Sequence, residues 1–195
     1  MQSHKLLNLL RKTGAILDGH FLLTSGKHSN VYIEKFRILE NPNSLDQVCE
    51  AMAGIVQGKG VDIILGAAIG GILISGGVGR HLEKKHIFAE RINGKMELRR
   101  GFSISNGERV MIVEDIITTG GSVFELINLA DELSAEIVHV VNLVDRSQIG
   151  IDFVYPSTAL LNLPSESYNP NNCPLCEQGL PLIERGRTGK KMEMD

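Results

Sequence analysis

Two adjacent carboxylates, Glu114 and Asp115, are separated by Ile116-Ile117 from a hydroxyl- and glycine-rich run, Thr118-Thr119-Gly120-Gly121-Ser122. Hydroxyls and closely spaced backbone N–H groups can surround a phosphate, and a helix starting there adds partial positive charge. A phosphate cradle alone gains nothing from two acids beside it. Carboxylates accept hydrogen bonds from sugar hydroxyls or sit near Mg2+. A 5-phosphate in the run and hydroxyls on the acids together describe one ligand, a ribose 5-phosphate. The plainer alternative is the strand-to-helix turn of any α/β protein, with acids that only cap.

Both readings need the same elements. Val110 to Val113 is an unbroken apolar run, as in a strand buried on both faces. Val123, Leu126, Ile127, Ala130 and Leu133 follow at helical spacing. The turn therefore lies just beyond a strand's carboxyl end, where open parallel sheets bind ligands. Val61 to Leu65 forms a second such strand and runs into Gly66-Ala67-Ala68-Ile69-Gly70-Gly71, then an apolar helix from Ile72 to about Leu82. A turn without large side chains lets a ligand approach the backbone. The same glycines also permit close packing of helix on strand.

The rest of the chain supplies more strands and helices. Leu6 to Arg11 and Leu45 to Val56 read as helices, the second capped by Asn41-Pro42-Asn43-Ser44. Gly19 to Ile33 reads as a hairpin, and Ile87-Phe88-Ala89 and Glu136 to Val144 as strands. Leu160 to Leu163 is expected to return as a strand packed over the site. Strands alternating with helices predict an α/β fold with a mostly parallel sheet. Glu90 to Phe102 carries Arg91, Lys95, Arg99 and Arg100. It is either a solvated hairpin or a mobile flap that closes over an anion and excludes water. Asp145-Arg146 ends a strand, which is often only a surface feature.

The three cysteines divide into two cases. Cys49 lies near the apolar face of its helix and reads as a buried structural thiol. Cys173-Pro174-Leu175-Cys176 is a single Cys-x-x-Cys. A zinc knuckle needs a second ligand pair, and His139 and His86 fall in or beside strands. A redox role needs a thioredoxin-like setting. A metal there would take ligands from elsewhere, such as another subunit, so no protein metal ligand is assigned.

Composition narrows the class. A chain of 195 residues is long enough for one domain with a substantial core. A net charge of -3 provides no basic field for nucleic acid or a membrane surface. No apolar run approaches the ~20 residues of a membrane span. The start lacks the apolar core and cleavage site of a secretory signal. With few cysteines, a reduced cytoplasmic location is expected.

The strand, paired acids and Thr-Thr-Gly-Gly-Ser turn resemble the phosphoribosyl pyrophosphate motif of type I phosphoribosyltransferases. Phe21, Leu23, Ser25, Gly26, Lys27, Ser29 and Tyr32 resemble the N-terminal hairpin of the orotate-specific branch, departing from it at Thr24, where many members carry lysine. Asp145-Arg146 matches that branch too, and Glu90 to Phe102 resembles a subgroup of its basic loops. The resemblance covers roughly residues 14 to 165 and implies the type I phosphoribosyltransferase fold: a mostly parallel sheet flanked by helices, with a small hood from the N- and C-terminal segments. It implies a single domain over 1–195, with a tail from about 185 poorly ordered. By the same resemblance, the substrates are phosphoribosyl pyrophosphate, carried with Mg2+, and orotate. Glu114 and Asp115 take the ribose, Thr118 to Ser122 the 5-phosphate, Gly70 and Gly71 the pyrophosphate, and Arg146 the base, with Lys27 and Arg91 as further contacts. Lys95 with Arg99 or Arg100 would cap the leaving group, and Asp115 would take part in catalysis. In the family this loop reaches into the neighbouring subunit, which implies a homodimer. A purine-base transferase and a non-catalytic sensor of phosphoribosyl pyrophosphate are the alternatives.

Overall fold

The computed structural model describes residues 3–23, 25–164 and 166–185. Thr24 and the expected tail beyond Arg185 lie outside the described residues. The elements are α1 (Ser3–Lys12), β1 (Ile16–Leu22), β2 (His28–Ile33), α2 (Phe36–Leu39), α3 (Pro42–Val56), β3 (Ile63–Ala67), α4 (Gly70–Leu82), β4 (Lys85–Ile92), β5 (Lys95–Leu98), β6 (Arg109–Ile117), α5 (Gly121–Glu132), β7 (Glu136–Asp145), β8 (Ser157–Asn162), α6 (Pro174–Glu177) and β9 (Ile183–Glu184).

Six strands form the main sheet in the order β5-β4-β3-β6-β7-β8. All neighbours are parallel except β4 and β5. The apolar runs of β3 and β6 are central because both of their faces must be covered: Ile63, Ile64 and Leu65, like Val110 to Val113, are fully buried. One face packs on α1, α3 and α4, through Leu6, Met52 and Ile74. The other packs on α5, through Val123, Leu126 and Ile127. From β3 the chain crosses by α4 to β4 on one side; from β6 it crosses by α5 to β7 on the other. The two crossovers diverge between β3 and β6, so a crevice opens at their carboxyl ends.

A second, three-stranded sheet has the order β2-β1-β9. It joins the N-terminal hairpin to the C-terminal segment and stands above the crevice through the residues that line it there.

One expectation changes. Leu160 to Leu163 does not cover the site: β8 is an edge strand of the main sheet, parallel to β7, with Leu160 and Leu161 buried against the same core as α1 and α3. Those two leucines need more apolar neighbours than a ligand cleft offers. The basic segment forms the β4–β5 hairpin, one of the two forms the sequence allowed, pairing Ile92 with Lys95. Asn93 and Gly94 turn it with φ of 48° and 85°. Two central residues at positive φ match the right-handed strand twist, and Asn-Gly adopts them readily.

Candidate active site

The carboxyl end of β6 places the two acids. Asp115 is 3% exposed, and its Oδ2 lies 2.7 Å from the Lys35 ammonium, just after β2. Its Oδ1 accepts the Ile116 N–H at 2.6 Å. Glu114 is 7% exposed and accepts the Asp115 N–H at 2.9 Å. Burial first, then the neighbouring Asp115 charge, pushes the Glu114 carboxyl up to about 8. The folded protein therefore binds a proton that the unfolded chain releases near the ordinary carboxylate range. The stability carried by that proton is complete below the unfolded pKa and is lost as pH rises through about 8. Glu114→Gln is expected to flatten the fall of melting temperature between about pH 5 and about pH 8. An unchanged slope in thermal melts would show that Glu114 ionises as an ordinary surface acid.

The turn after the acids leads straight into α5. Thr118 and Thr119 are exposed, and Gly120 caps the helix with φ of 77°. A Cβ on Gly120 would come within 3.0 Å of the Phe153 ring, so both conformation and space require glycine. The first backbone N–H groups of α5 have no partner within the helix and point out of its positive end. Thr118 to Val123, with Glu114 and Arg91, line a cleft of about 220 Å³. Arg91 is held there by Glu125 of α5 at 2.8 Å.

Across the crevice, the turn between β3 and α4 brings Gly70 against Asp115 and Lys35. A Cβ there would overlap Asp115 Oδ2 and lie 3.4 Å from Lys35 Nζ. Gly71 packs instead on Gly66, whose own Cβ would lie 2.4 Å from the Gly71 carbonyl oxygen. Close helix-on-strand packing thus accounts for Gly71, while Gly70 makes room for the charged pair.

A larger cleft of about 640 Å³ adjoins the first and shares Ile116, Thr118 and Thr119 with it. Its other walls include Lys27, Tyr32, Lys35, Phe36, Arg146 and Arg185. Arg146 is half-buried, donates from Nη2 to the Val31 carbonyl at 3.3 Å and leaves its buried Nε without a partner among the described residues. Burial works against its charge. Phe36 is 46% exposed, with Lys35 Nζ 5.6 Å from its ring centroid.

The sequence-predicted residues fall into two groups. Glu114, Asp115, Thr118 to Ser122, Gly70, Arg91, Arg146 and Lys27 gather around the two clefts. Lys95, Arg99 and Arg100 line neither. Lys95 borders a separate groove beside Leu129 and Leu133, and Arg100 forms two hydrogen bonds of 3.0 Å with Glu90. Of the basic residues in this segment, Arg91 lines a cleft of its own chain, and these three do not. Sequence reading missed Lys35, Phe36 and Arg185. Lys35 and Phe36 immediately follow an apolar strand end, a weak signal; Arg185 carries none.

A family model described as a phosphoribosyl transferase domain matches residues 36–152. The orotate phosphoribosyltransferase of Desulforamulus reducens is 46% identical over 186 residues, covering 95% of this chain and 97% of that one. The chain belongs to the orotate phosphoribosyltransferase family. The member from Thermotoga maritima is 45% identical over 94% of this chain and 98% of its own. The crystal structure of the Aeropyrum pernix orotate phosphoribosyltransferase superposes with a TM-score of 0.68 at 26% identity, covering 81% of this chain and 93% of that one. An adenine phosphoribosyltransferase from Thermoanaerobacter pseudethanolicus shares the fold, with a TM-score of 0.60 at 16% identity over 68% of this chain and 88% of that one. The type I fold expected from sequence is therefore the observed one.

One grouping of side chains was not expected from the sequence. His20 and His28 of the small sheet stand beside Cys173 and Cys176, with all four ligand atoms within 4.8 Å of one another. The two histidines lie about 150 residues upstream of the cysteines, so local spacing could not reveal the grouping.

Proposed function

We propose that this protein joins orotate to phosphoribosyl pyrophosphate, giving orotidine 5′-monophosphate and pyrophosphate for pyrimidine nucleotide synthesis. The observation that carries the base is the cationic wall of the larger cleft, formed by Lys27, Lys35, Arg146 and Arg185. Orotate brings a carboxylate to this wall; a purine base brings no negative charge to it. Arg146 can meet a carboxylate with paired N–H groups, and the exposed face of Phe36 offers a planar contact.

The smaller cleft is suited to the 5-phosphate, with Thr118, Thr119, Gly120, Gly121 and Ser122 as donors and Arg91 as a nearby cation. Glu114 and Asp115 take the ribose hydroxyls. As the bond to pyrophosphate loosens, positive charge grows on the ribose. The Asp115 carboxylate, shielded from water, favours that charge more than the neutral ground state. Lys35 fixes Asp115 and, lying beside Gly70, puts positive charge where the leaving pyrophosphate approaches the β3–α4 turn.

The donor set also fits Mg2+ carried by the substrate. Asp115 Oδ2 is already paired with Lys35 and Glu114 favours a proton, so these acids do not make an all-protein cage. They can receive an ion that keeps waters and substrate oxygens. When bound, Mg2+ neutralises charge on the pyrophosphate.

The reading extends to the assembly. We take the chain as one domain, with the small sheet as its hood. Lys95, Arg99 and Arg100, which line neither cleft of their own chain, would serve the site of a second subunit in a homodimer. No helix among the described residues is long and apolar enough to cross a membrane, in keeping with a cytoplasmic enzyme.

The test is turnover. Orotate absorbance should fall when phosphoribosyl pyrophosphate and Mg2+ are supplied together. Pyrophosphate release with adenine or guanine and none with orotate would move the reading to a purine-base transferase. Binding of phosphoribosyl pyrophosphate without turnover of any base would favour a sensor.

A further inference from the structure

The His20, His28, Cys173 and Cys176 cluster lies outside both clefts and has no part in the proposed reaction. Three distances define it: Cys173 Sγ and Cys176 Sγ are 3.6 Å and 3.8 Å from His20 Nε2, and Cys176 Sγ is 3.4 Å from His28 Nδ1. A tetrahedral zinc site with Zn–N of about 2.0–2.1 Å and Zn–S of about 2.3 Å has N···S edges of about 3.6 Å. The two imidazole nitrogens, 2.9 Å apart, sit slightly inside the about 3.3 Å edge expected between nitrogens. His20 Nδ1 lies 2.9 Å from the Leu180 carbonyl oxygen. A carbonyl can only accept, so Nδ1 carries the ring proton and Nε2 turns its lone pair toward the cluster. Metal-bound histidines are oriented by this kind of outer hydrogen bond.

We propose that these four residues bind one Zn2+ as a structural clamp between the N-terminal hairpin and the C-terminal segment. Thiolate and imidazole donors suit zinc and not Mg2+. Four protein ligands fill a tetrahedron and leave no open position, so the ion holds structure and does not catalyse. The fold shows why a clamp is needed here. Of residues 171–185, Cys173 is the only one that is buried. Hydrogen bonds to β1 and β2 therefore act with little apolar burial: β9 pairs two residues with β1, and Tyr168 bridges His28. A segment with so little core needs a staple. The clamp also bears on the larger cleft, because the same segment supplies Ser167 and Arg185 to its wall and the hairpin supplies Lys27.

The full chain, purified under reducing conditions with zinc supplied, is expected to hold one zinc per chain by elemental mass spectrometry. The Cys173→Ser, Cys176→Ser double variant should lose it. Wild-type protein stripped and refilled with Co2+ should show the visible bands of tetrahedral cobalt and a near-ultraviolet thiolate-to-cobalt band. This measurement stands even if the double variant fails to fold. Neither readout depends on turnover, so the clamp can fail or hold independently of the orotate reading. Where orotate is turned over, protein stripped of zinc, then freed of chelator and assayed with Mg2+, should show a KM for orotate raised several-fold and a KM for phosphoribosyl pyrophosphate nearly unchanged. Substoichiometric zinc, a cobalt spectrum without a thiolate band, equal zinc in the double variant, or a Cys173–Cys176 disulfide under these conditions would each overturn the proposal.

Discussion

Asp115→Asn is expected to lower kcat/KM for phosphoribosyl pyrophosphate by about 10²–10³-fold, or about 2.7–4 kcal/mol of transition-state stabilisation. The substitution keeps shape and removes charge. Asp115 is 3% exposed, so water screens its charge little, and the Lys35 ammonium 2.7 Å from Oδ2 offsets only part of it. Two effects compete in the variant. Loss of the carboxylate weakens the transition state; it also leaves Lys35 without its partner and could unfold the protein. Breaking a fully buried pair costs about 3–5 kcal/mol. The Lys35 side chain is 34% exposed, however, and water can solvate the freed ammonium, so the folding cost should be well below that. Activity should therefore fall far more than melting temperature. Kinetics and thermal melts on the same preparation decide the matter: unchanged kcat/KM, or a loss explained wholly by unfolding, would remove Asp115 from the chemistry. Lys35→Met, alone and combined with Asp115→Asn, completes a double-mutant cycle. If Lys35 acts by holding Asp115, the double variant should be little worse than Asp115→Asn.

What the sequence made legible follows from how far each signal reaches. The β6–turn–α5 unit could be read because its cues are local: an unbroken apolar strand, acids at its end, small residues in the turn and helical spacing after it. Arg146 could be read because it directly follows a long apolar strand and the resemblance gave its position meaning. Lys35 could not, since its value comes from the hood folding down over β6, which places residue 35 against residue 115. His20 and His28 escaped for the same reason: they sit in a hairpin whose pattern is satisfied by strand pairing, and their cysteine partners return from the far end of the chain. The basic hairpin is a different case. Charge was visible at Lys95, Arg99 and Arg100, but direction was not. Direction is set by the Asn93-Gly94 turn and the Arg100–Glu90 pair. Gly71 shows a further limit, because close packing on Gly66 and approach to a ligand demand the same residue.

Arg146→Ala should raise the KM for orotate by about 30-fold or more, corresponding to about 2 kcal/mol or more for a desolvated, charge-assisted contact. The KM for phosphoribosyl pyrophosphate should move by less than about 3-fold, because in the proposed arrangement the two substrates take different walls of adjoining clefts. That asymmetry is the informative outcome, since Arg146 also donates to the Val31 carbonyl of β2 at 3.3 Å and its loss could loosen the hood as a whole. A loosened hood would disturb Lys35 as well, through the same chain segment, and so impair both substrates. Arg146→Lys separates the explanations further. Lysine keeps the charge and most of the length but cannot present two parallel N–H groups to a carboxylate. If the contact is forked, the lysine variant should remain well short of wild type for orotate while keeping its affinity for phosphoribosyl pyrophosphate. If Arg146 only braces β2, lysine should restore nearly full activity. Steady-state rates from the fall in orotate absorbance, with each substrate varied in turn, distinguish the two. Equal damage to both KM values in both variants would make Arg146 a brace for the hood and move recognition of the carboxylate to Lys27 or Arg185.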